Sequence, residues 1–239
     1  MNILVAEPIA PSGIEVLEEA GWNVDVRSAL TPAEVEAIIG DYDAVIVRSQ
    51  TRLTARAIRA AKRLKVIGRA GAGVDNIDLE AATAQGILVM NTPGSNSVSV
   101  AEHTFGLILC LVRHIVAANE SVKRGEWERR LFLGRELKGK TLGLIGLGKV
   151  GQEVAKRAKA FGMTVIAHDP FIAERIAQDL DVRLVPLGEL LMTSDIISLH
   201  ASLTRATRGM IGREAIARMK PGVILINTCL LYTSDAADE

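Results

Sequence analysis

Thr141-Leu142-Gly143-Leu144-Ile145-Gly146-Leu147-Gly148-Lys149-Val150-Gly151 is the stretch that decides how this chain folds. A short apolar run enters Gly-x-Gly-x-x-Gly, and an alanine-rich helical segment follows. A second apolar run, Thr164–His168, then closes on an acid, Asp169. In such a strand–turn–helix unit Gly146 permits the tight turn, Gly148 lets the backbone approach a pyrophosphate, and Gly151 lets the helix lie close to the strand. The helix start after Gly148 offers unsatisfied N–H groups and partial positive charge to phosphates. Asp169 comes 18 residues after Gly151, near the spacing of about 20 at which an acid reads ribose hydroxyls. Its carboxylate would repel a 2′-phosphate, so the pattern favours NAD over NADP. The plain alternatives are glycines that serve packing only and a turn acid before Pro170. Strand, glycines, helix, second strand and acid falling in order argue against both.

The same alternation extends outward in both directions. Strand-like runs Ile3–Ala6, Val24–Val26, Ala44–Arg48, Lys65–Gly68 and Ile87–Asn91 alternate with helix-like segments Ser12–Ala20, Pro32–Ile39, Thr54–Ala61 and Leu79–Gln85. Thr31-Pro32 reads as an N-cap with proline at the first helical position, and Gly40 and Gly86 as helix stops. The pattern predicts an α/β domain with a parallel, two-sided sheet. One long helix is expected over Ser99–Ser121. Its apolar residues Val100, Phe105, Leu107, Ile108, Leu111, Val112, Ile115 and Val116 cover most of its circumference, which predicts burial between domains or subunits. Gly125–Lys140 reads as irregular, anchored by Trp127 and Phe132. Further strands are expected at Thr141–Ile145, Thr164–His168, Ile196–Leu199 and Val223–Ile226.

Composition narrows the function classes. Of the 239 residues 49% are hydrophobic but only 3% aromatic, so the core is aliphatic, as buried parallel strands require. Lys plus Arg and Asp plus Glu are 28 each, which favours neither nucleic acid nor an anionic membrane as partner. Cys110 and Cys229 have no metal-ligand spacing, so neither a disulfide framework nor a metal site is expected, and a reducing cytoplasm is the default. The N-terminus lacks the pattern of a signal peptide. The apolar stretch 104–118 is broken by Arg113 and His114 and is too short to span a bilayer.

The chain resembles the D-2-hydroxyacid dehydrogenases, and within them the branch acting on phosphorylated substrates. The matching residues are Val47-Arg48-Ser49-Gln50-Thr51, Gly68-Arg69-Ala70-Gly71-Ala72-Gly73-Val74-Asp75-Asn76-Ile77-Asp78, Asn91-Thr92-Pro93 and Asn96–Glu102. They continue with Gly125-Glu126-Trp127, the glycine motif, His168-Asp169-Pro170, His200–Thr204 and Ile226-Asn227-Thr228, so the likeness covers residues 1–228. It implies a flavodoxin-like substrate domain first (1–98), then an incomplete Rossmann NAD-binding domain (99–228). It also implies oxidation of a small phosphorylated 2-hydroxy acid with NAD, and a homodimer or homotetramer formed through the NAD-binding domain. Arg48 and Arg69, at strand C-terminal ends, would engage phosphate or carboxylate, and Gly71 and Gly73 would leave N–H groups for an oxyanion. Two solvated surface arginines are the plain alternative. The cofactor would be contacted by Ala72, Gly146, Gly148, Lys149, Val150, Gly151, Asp169, His200, Ala201 and Thr228, mostly through backbone. Asn96 and Ser97 either face the cleft or cap a helix.

A hydroxyl proton must also be moved. The resemblance implies a histidine held by a glutamate, and an arginine two residues after the Asn-Thr pair. Leu230 stands at the arginine position, and the other two lie past the last residue. His103 and His114 read as core or interface residues, His168 as a strand residue, and His200 as a cofactor neighbour. No catalytic residue is therefore assigned, and the polypeptide as written is expected to lack dehydrogenase activity. Residues 229–239 resemble an in-frame sequencing-adapter translation and are expected to be non-native, with a divergent natural terminus as the alternative. Competing functions are a reductase of glyoxylate, hydroxypyruvate or another 2-hydroxy acid pair, a NAD-sensing binding protein, and a non-functional cloning fragment.

Overall fold

The computed structural model describes residues 1–28, 30–202 and 204–229. Its contacts divide the chain into two units, Met1–Asn96 and Ser97–Glu239. Of the segment 229–239 only Cys229 lies within the described residues, and the expected arginine position at Leu230 lies outside them.

In the first unit β1 (Asn2–Val5), β2 (Asn23–Val26), β3 (Ala44–Val47), β4 (Val66–Arg69) and β5 (Leu88–Asn91) alternate with α1 (Pro11–Glu19), α2 (Pro32–Ile38), α3 (Ala55–Ala60) and α4 (Leu79–Ala84). All neighbouring strands run parallel in the order β2-β1-β3-β4-β5, the flavodoxin-like 2-1-3-4-5 arrangement. Local chemistry sets the helix starts. Thr31 and Glu34 form a reciprocal capping box on α2, and Thr54 and Asp78 cap α3 and α4. Gly86 leaves α4 with φ +68°, which suits a residue without Cβ. Gly40 does not stop its helix cleanly, because the chain tightens into a 3₁₀ turn at Ile39–Asp41. One sheet face buries Leu4, Val45, Val47 and Ile67 against Val35, Ile39 and Ile58. The other packs Ile3 and Val5 against Ile14 and Leu17.

The second unit holds α5 (Ser97–Val112), α6 (Ile115–Lys123), β6 (Thr141–Ile145), α7 (Lys149–Ala160), β7 (Thr164–His168), α8 (Glu174–Asp179), β8 (Arg183–Leu184), α9 (Leu187–Thr193), β9 (Ile196–Leu199), α10 (Arg213–Ala217) and β10 (Ile224–Asn227). The parallel order β10-β9-β6-β7-β8 is 3-2-1-4-5 when counted from β6, which gives five positions of the six-strand Rossmann order. Leu142, Leu144, Val165 and Ala167 pack on Phe105 and Ile108 of α5 and on Val154, Ala155 and Ala158 of α7. Phe105 also stacks on Phe161 with ring centroids 5.2 Å apart. Gly143 lets α9 close on β6, since a Cβ there would run into Ser194 and Leu190.

Two expectations need correction here. The long helix is two helices, α5 and α6, bent by 63° at Arg113-His114, with His114 left-handed at φ 54°. The cause is non-local: the Val112 carbonyl accepts the N–H of Arg135 at 2.8 Å, and Gly134 lies against that carbonyl so closely that a Cβ would collide with it. Within the single chain Leu107, Leu111, Ile115 and Val116 are exposed, as are His103 and His114, so these positions are open to a second subunit. Lastly, Trp127 is 75% exposed and Leu137, not Trp127, is the buried anchor of its segment. Among the described residues no single helix is long and apolar enough to cross a membrane, and α5 with α6 passes that test only as a bent pair. No group of three or more metal-ligating side chains occurs among them, and both cysteines are free.

Candidate functional site

In the second unit the expected residues converge on the carboxyl ends of β6, β7, β9 and β10. Sheet order reverses between β6 and β9, the place where open α/β sheets bind ligands. Gly146 has φ +95°, and a Cβ there would stand 2.8 Å from the His200 carbonyl and the Ala201 nitrogen. The turn therefore runs flat against the end of β9. At Gly151 a Cβ would strike the Gly146 carbonyl, so the first turn of α7 lies directly on the loop. Gly148 differs from both, because a Cβ there would meet nothing within 4 Å. As N-cap of α7 it supplies no side-chain cap to the helix, so the first turn presents backbone donors and the positive end of the helix dipole over open space. Lys149 is exposed, while the Val150 side chain packs toward the core.

Asp169 stands at the end of β7, half-buried. It accepts the Leu147 N–H at 2.8 Å through Oδ2 and the Phe171 N–H at 3.0 Å through Oδ1. The carboxylate is thus tied to the glycine loop itself, with acceptor capacity left for hydroxyl donors. His168 approaches the Val185 carbonyl at 3.1 Å through Nδ1, which suits an Nδ1–H donor. His200 pairs through Nε2 with buried Ser198 at 2.9 Å. Burial pushes its pKa down to about 4, so it is a neutral imidazole near pH 7. Thr104, fully buried on α5, donates to the Val100 carbonyl at 2.8 Å, so at 3.1 Å it accepts from the Thr228 hydroxyl. The Cys229 thiol donates to the Leu199 carbonyl at 3.1 Å and is pushed up by burial to about 11, which keeps it protonated.

The first unit gathers Arg48, Arg69, Gly71 and Ala72 at the carboxyl edge of its own sheet. Arg48 follows β3 and is exposed, with Nη1 donating to the Pro8 carbonyl at 3.2 Å. Arg69 ends β4 and is only 7% exposed, and its Nε is buried without a partner. Its guanidinium lies over Gly71, where any Cβ would overlap it. The Gly71 N–H is already used, donating to the Arg69 carbonyl at 2.8 Å, which corrects the expectation of a free donor there. What Gly71 supplies is room. The Ala72 carbonyl accepts from Asn91 Nδ2 at 2.6 Å. Ser97 is buried with an unpaired hydroxyl, so its side chain does not cap α5. Sequence reasoning missed two polar residues of this edge, Glu7 and Asn76, both buried and both bonded to the Arg48–Thr51 turn.

Residues 105–230 match the sequence model of the D-isomer specific 2-hydroxyacid dehydrogenase NAD binding domain. The chain belongs to the D-isomer-specific 2-hydroxyacid dehydrogenase family, and its second unit is a NAD-binding domain of that family. The relatives it resembles include D-3-phosphoglycerate dehydrogenases of Methanocaldococcus jannaschii, 52% identical over 228 residues, and of Archaeoglobus fulgidus, 49% identical over 227. Each match covers 95% of this chain but 43% of the relative, so the chain spans less than half the length of these relatives. The TT0316 protein of Thermus thermophilus has a similar structure, with TM-score 0.87 and 37% identity over 96% of this chain and 74% of that one. So does the D-lactate dehydrogenase of Aquifex aeolicus solved with NAD and lactic acid, with TM-score 0.84 and 34% identity over 96% and 69% of the two chains.

Proposed function

We propose that the protein to which this sequence belongs oxidises D-3-phosphoglycerate to 3-phosphohydroxypyruvate, the opening step of L-serine biosynthesis, in the cytoplasm. The observation that carries the substrate is the run of D-3-phosphoglycerate dehydrogenases at about half identity along 95% of the chain. D-lactate dehydrogenase at 34% identity supports the coarser alternative, another 2-hydroxy acid.

The second unit fits NAD on its own geometry. Open space over Gly148 leaves room for a pyrophosphate beside the first turn of α7, and the acceptor capacity left on Asp169 supports its reading as the ribose acceptor. NAD, when bound, supplies the hydride acceptor. Gly146 and Gly151 keep the loop flat, and His200 and Ala201 wall one side of it. As a neutral, desolvated imidazole bonded to the Ser198 hydroxyl, His200 is a wall of the site and not a proton exchanger near pH 7. In the first unit Arg48 and Arg69 supply the cations a phosphorylated hydroxy acid needs, and Gly71 makes room for the Arg69 guanidinium. Exposed apolar residues of the second unit, Leu111, Ile115, Val116 and Trp127, suit a homodimer or homotetramer formed through it.

NADH titration by fluorescence tests the cofactor assignment. Asp169→Ala is expected to weaken NADH roughly tenfold or more, the scale of a charge-assisted hydrogen bond, and to narrow the preference over NADPH. Unchanged affinity would remove Asp169 from the ribose site. Turnover of D-3-phosphoglycerate against D-lactate and D-glycerate by the full-length protein, followed as NADH formation, tests the substrate, and a preference for an unphosphorylated acid overturns it.

A further inference from the structure

The first sheet reverses its strand order between β1 and β3, and at that point the chain has placed a buried carboxylate of its own. Glu7 follows β1 and is 4% exposed. Its Oε1 accepts the N–H groups of Arg48 and Thr51, each at 2.9 Å, and the Gln50 N–H lies 3.2 and 3.1 Å from its two oxygens. Burial by itself would raise the Glu7 pKa. The N–H groups of Thr51, Gln50 and Arg48 outweigh it and hold the carboxyl below its usual value. From the other side buried Asn76 donates through Nδ2 to the carbonyls of Arg48 at 2.8 Å and Thr51 at 2.6 Å. The head of Arg48 returns to Pro8, the residue after Glu7.

The residue types are dictated by this geometry. Three converging N–H donors need an acceptor-only group, and a glutamine would turn an NH₂ toward one of them. Two converging carbonyls need a donor, and an aspartate would oppose both. We propose that Glu7 and Asn76 are positioning residues, a two-sided clamp that fixes the Arg48–Thr51 turn and so holds the Arg48 guanidinium ready for the anionic end of the substrate. This rests on the anion-binding role given to Arg48 above. A turn fixed before binding spares the ordering cost that a loose one would impose on affinity.

The test combines amide exchange with a double-mutant cycle. Glu7→Gln is expected to speed exchange at Arg48, Gln50 and Thr51 while the β1 amides keep their protection. It is also expected to weaken D-3-phosphoglycerate, titrated into the full-length protein by calorimetry with NADH present so that no hydride is transferred, by about tenfold and to leave NADH affinity unchanged. Added to Arg48→Ala it should cost nothing further. Losses that multiply show that Glu7 does not act through Arg48 and overturn the clamp, as does unchanged exchange in the turn. Should Glu7→Gln fail to fold, Asn76→Ala approaches the same turn from its carbonyl side with the same expectations. A full-length wild type that binds NADH but not D-3-phosphoglycerate overturns the substrate assignment, and the purpose of the clamp with it. Binding with multiplying losses overturns the clamp alone.

Discussion

The three glycines of the loop differ in what surrounds them, and that difference separates folding from binding. Gly146→Ala forces a Cβ against the His200 carbonyl in a left-handed backbone, so it should cost about 1–3 kcal/mol in a denaturant melt and lose NADH as well. Gly148→Ala meets no atom of the chain, so stability should move by less than about 1 kcal/mol while NADH weakens. Wild-type NADH affinity in Gly148→Ala would remove the pyrophosphate from that place. His200 makes a second residue-scale prediction. Its folded pKa of about 4 lies below the unfolded 6.5, so the unfolded chain binds the extra proton between those values. Stability is therefore complete above pH 6.5 and falls toward pH 4, by up to about 3 kcal/mol. Melting temperature against pH should flatten over that window in His200→Gln, and an unaltered slope would show that other groups carry it. The glycines and Asp169 were legible because their partners follow at fixed short offsets. Glu7 was not. In sequence it is one acid after an apolar run, and its donors lie 41 to 44 residues away.

At the scale of elements the strands and most helices of the first unit could be read within a residue or two, because alternation and capping are local signals. β8 and α8 to α10 escaped notice: β8 is two residues long, and α8 to α10 start without the side-chain caps that mark α2 to α4, helices of similar length. The break between α5 and α6 has no local signal at all, since neither proline nor glycine stands at Arg113-His114. It is set by Arg135 taking the Val112 carbonyl, with Gly134 pressed against it. Gly134→Ala should therefore destabilise the chain by about 1–3 kcal/mol in thermal or denaturant melts. A neutral result would mean that the segment does not hold the end of α5.

At the scale of the molecule, two α/β units could be foreseen from alternation alone, and the resemblance supplied their order along the chain. What burial pattern could not reveal is which apolar face stays open. A helix stripe that packs on a neighbouring helix and one kept for a second copy read alike in sequence. Sedimentation velocity tests the oligomer proposal: Val116→Glu with Val122→Glu, both on exposed positions of α6, should shift a dimer toward monomer without lowering the melting temperature. A wild type that sediments as a monomer at all concentrations sinks it.

β5 lies at the rim of the first sheet and shows Leu88 57% and Met90 56% exposed on one side. Its outward N–H and C=O groups face no strand of the described chain. A rim of this kind is a template for stray strand addition, which natural sheets blunt with charge. For anyone handling the protein, shelf life in solution should then be limited by association along this rim rather than by unfolding. Met90→Lys should slow the growth of light scattering at high concentration while leaving NADH affinity as it was, and equal rates would locate the weak point elsewhere.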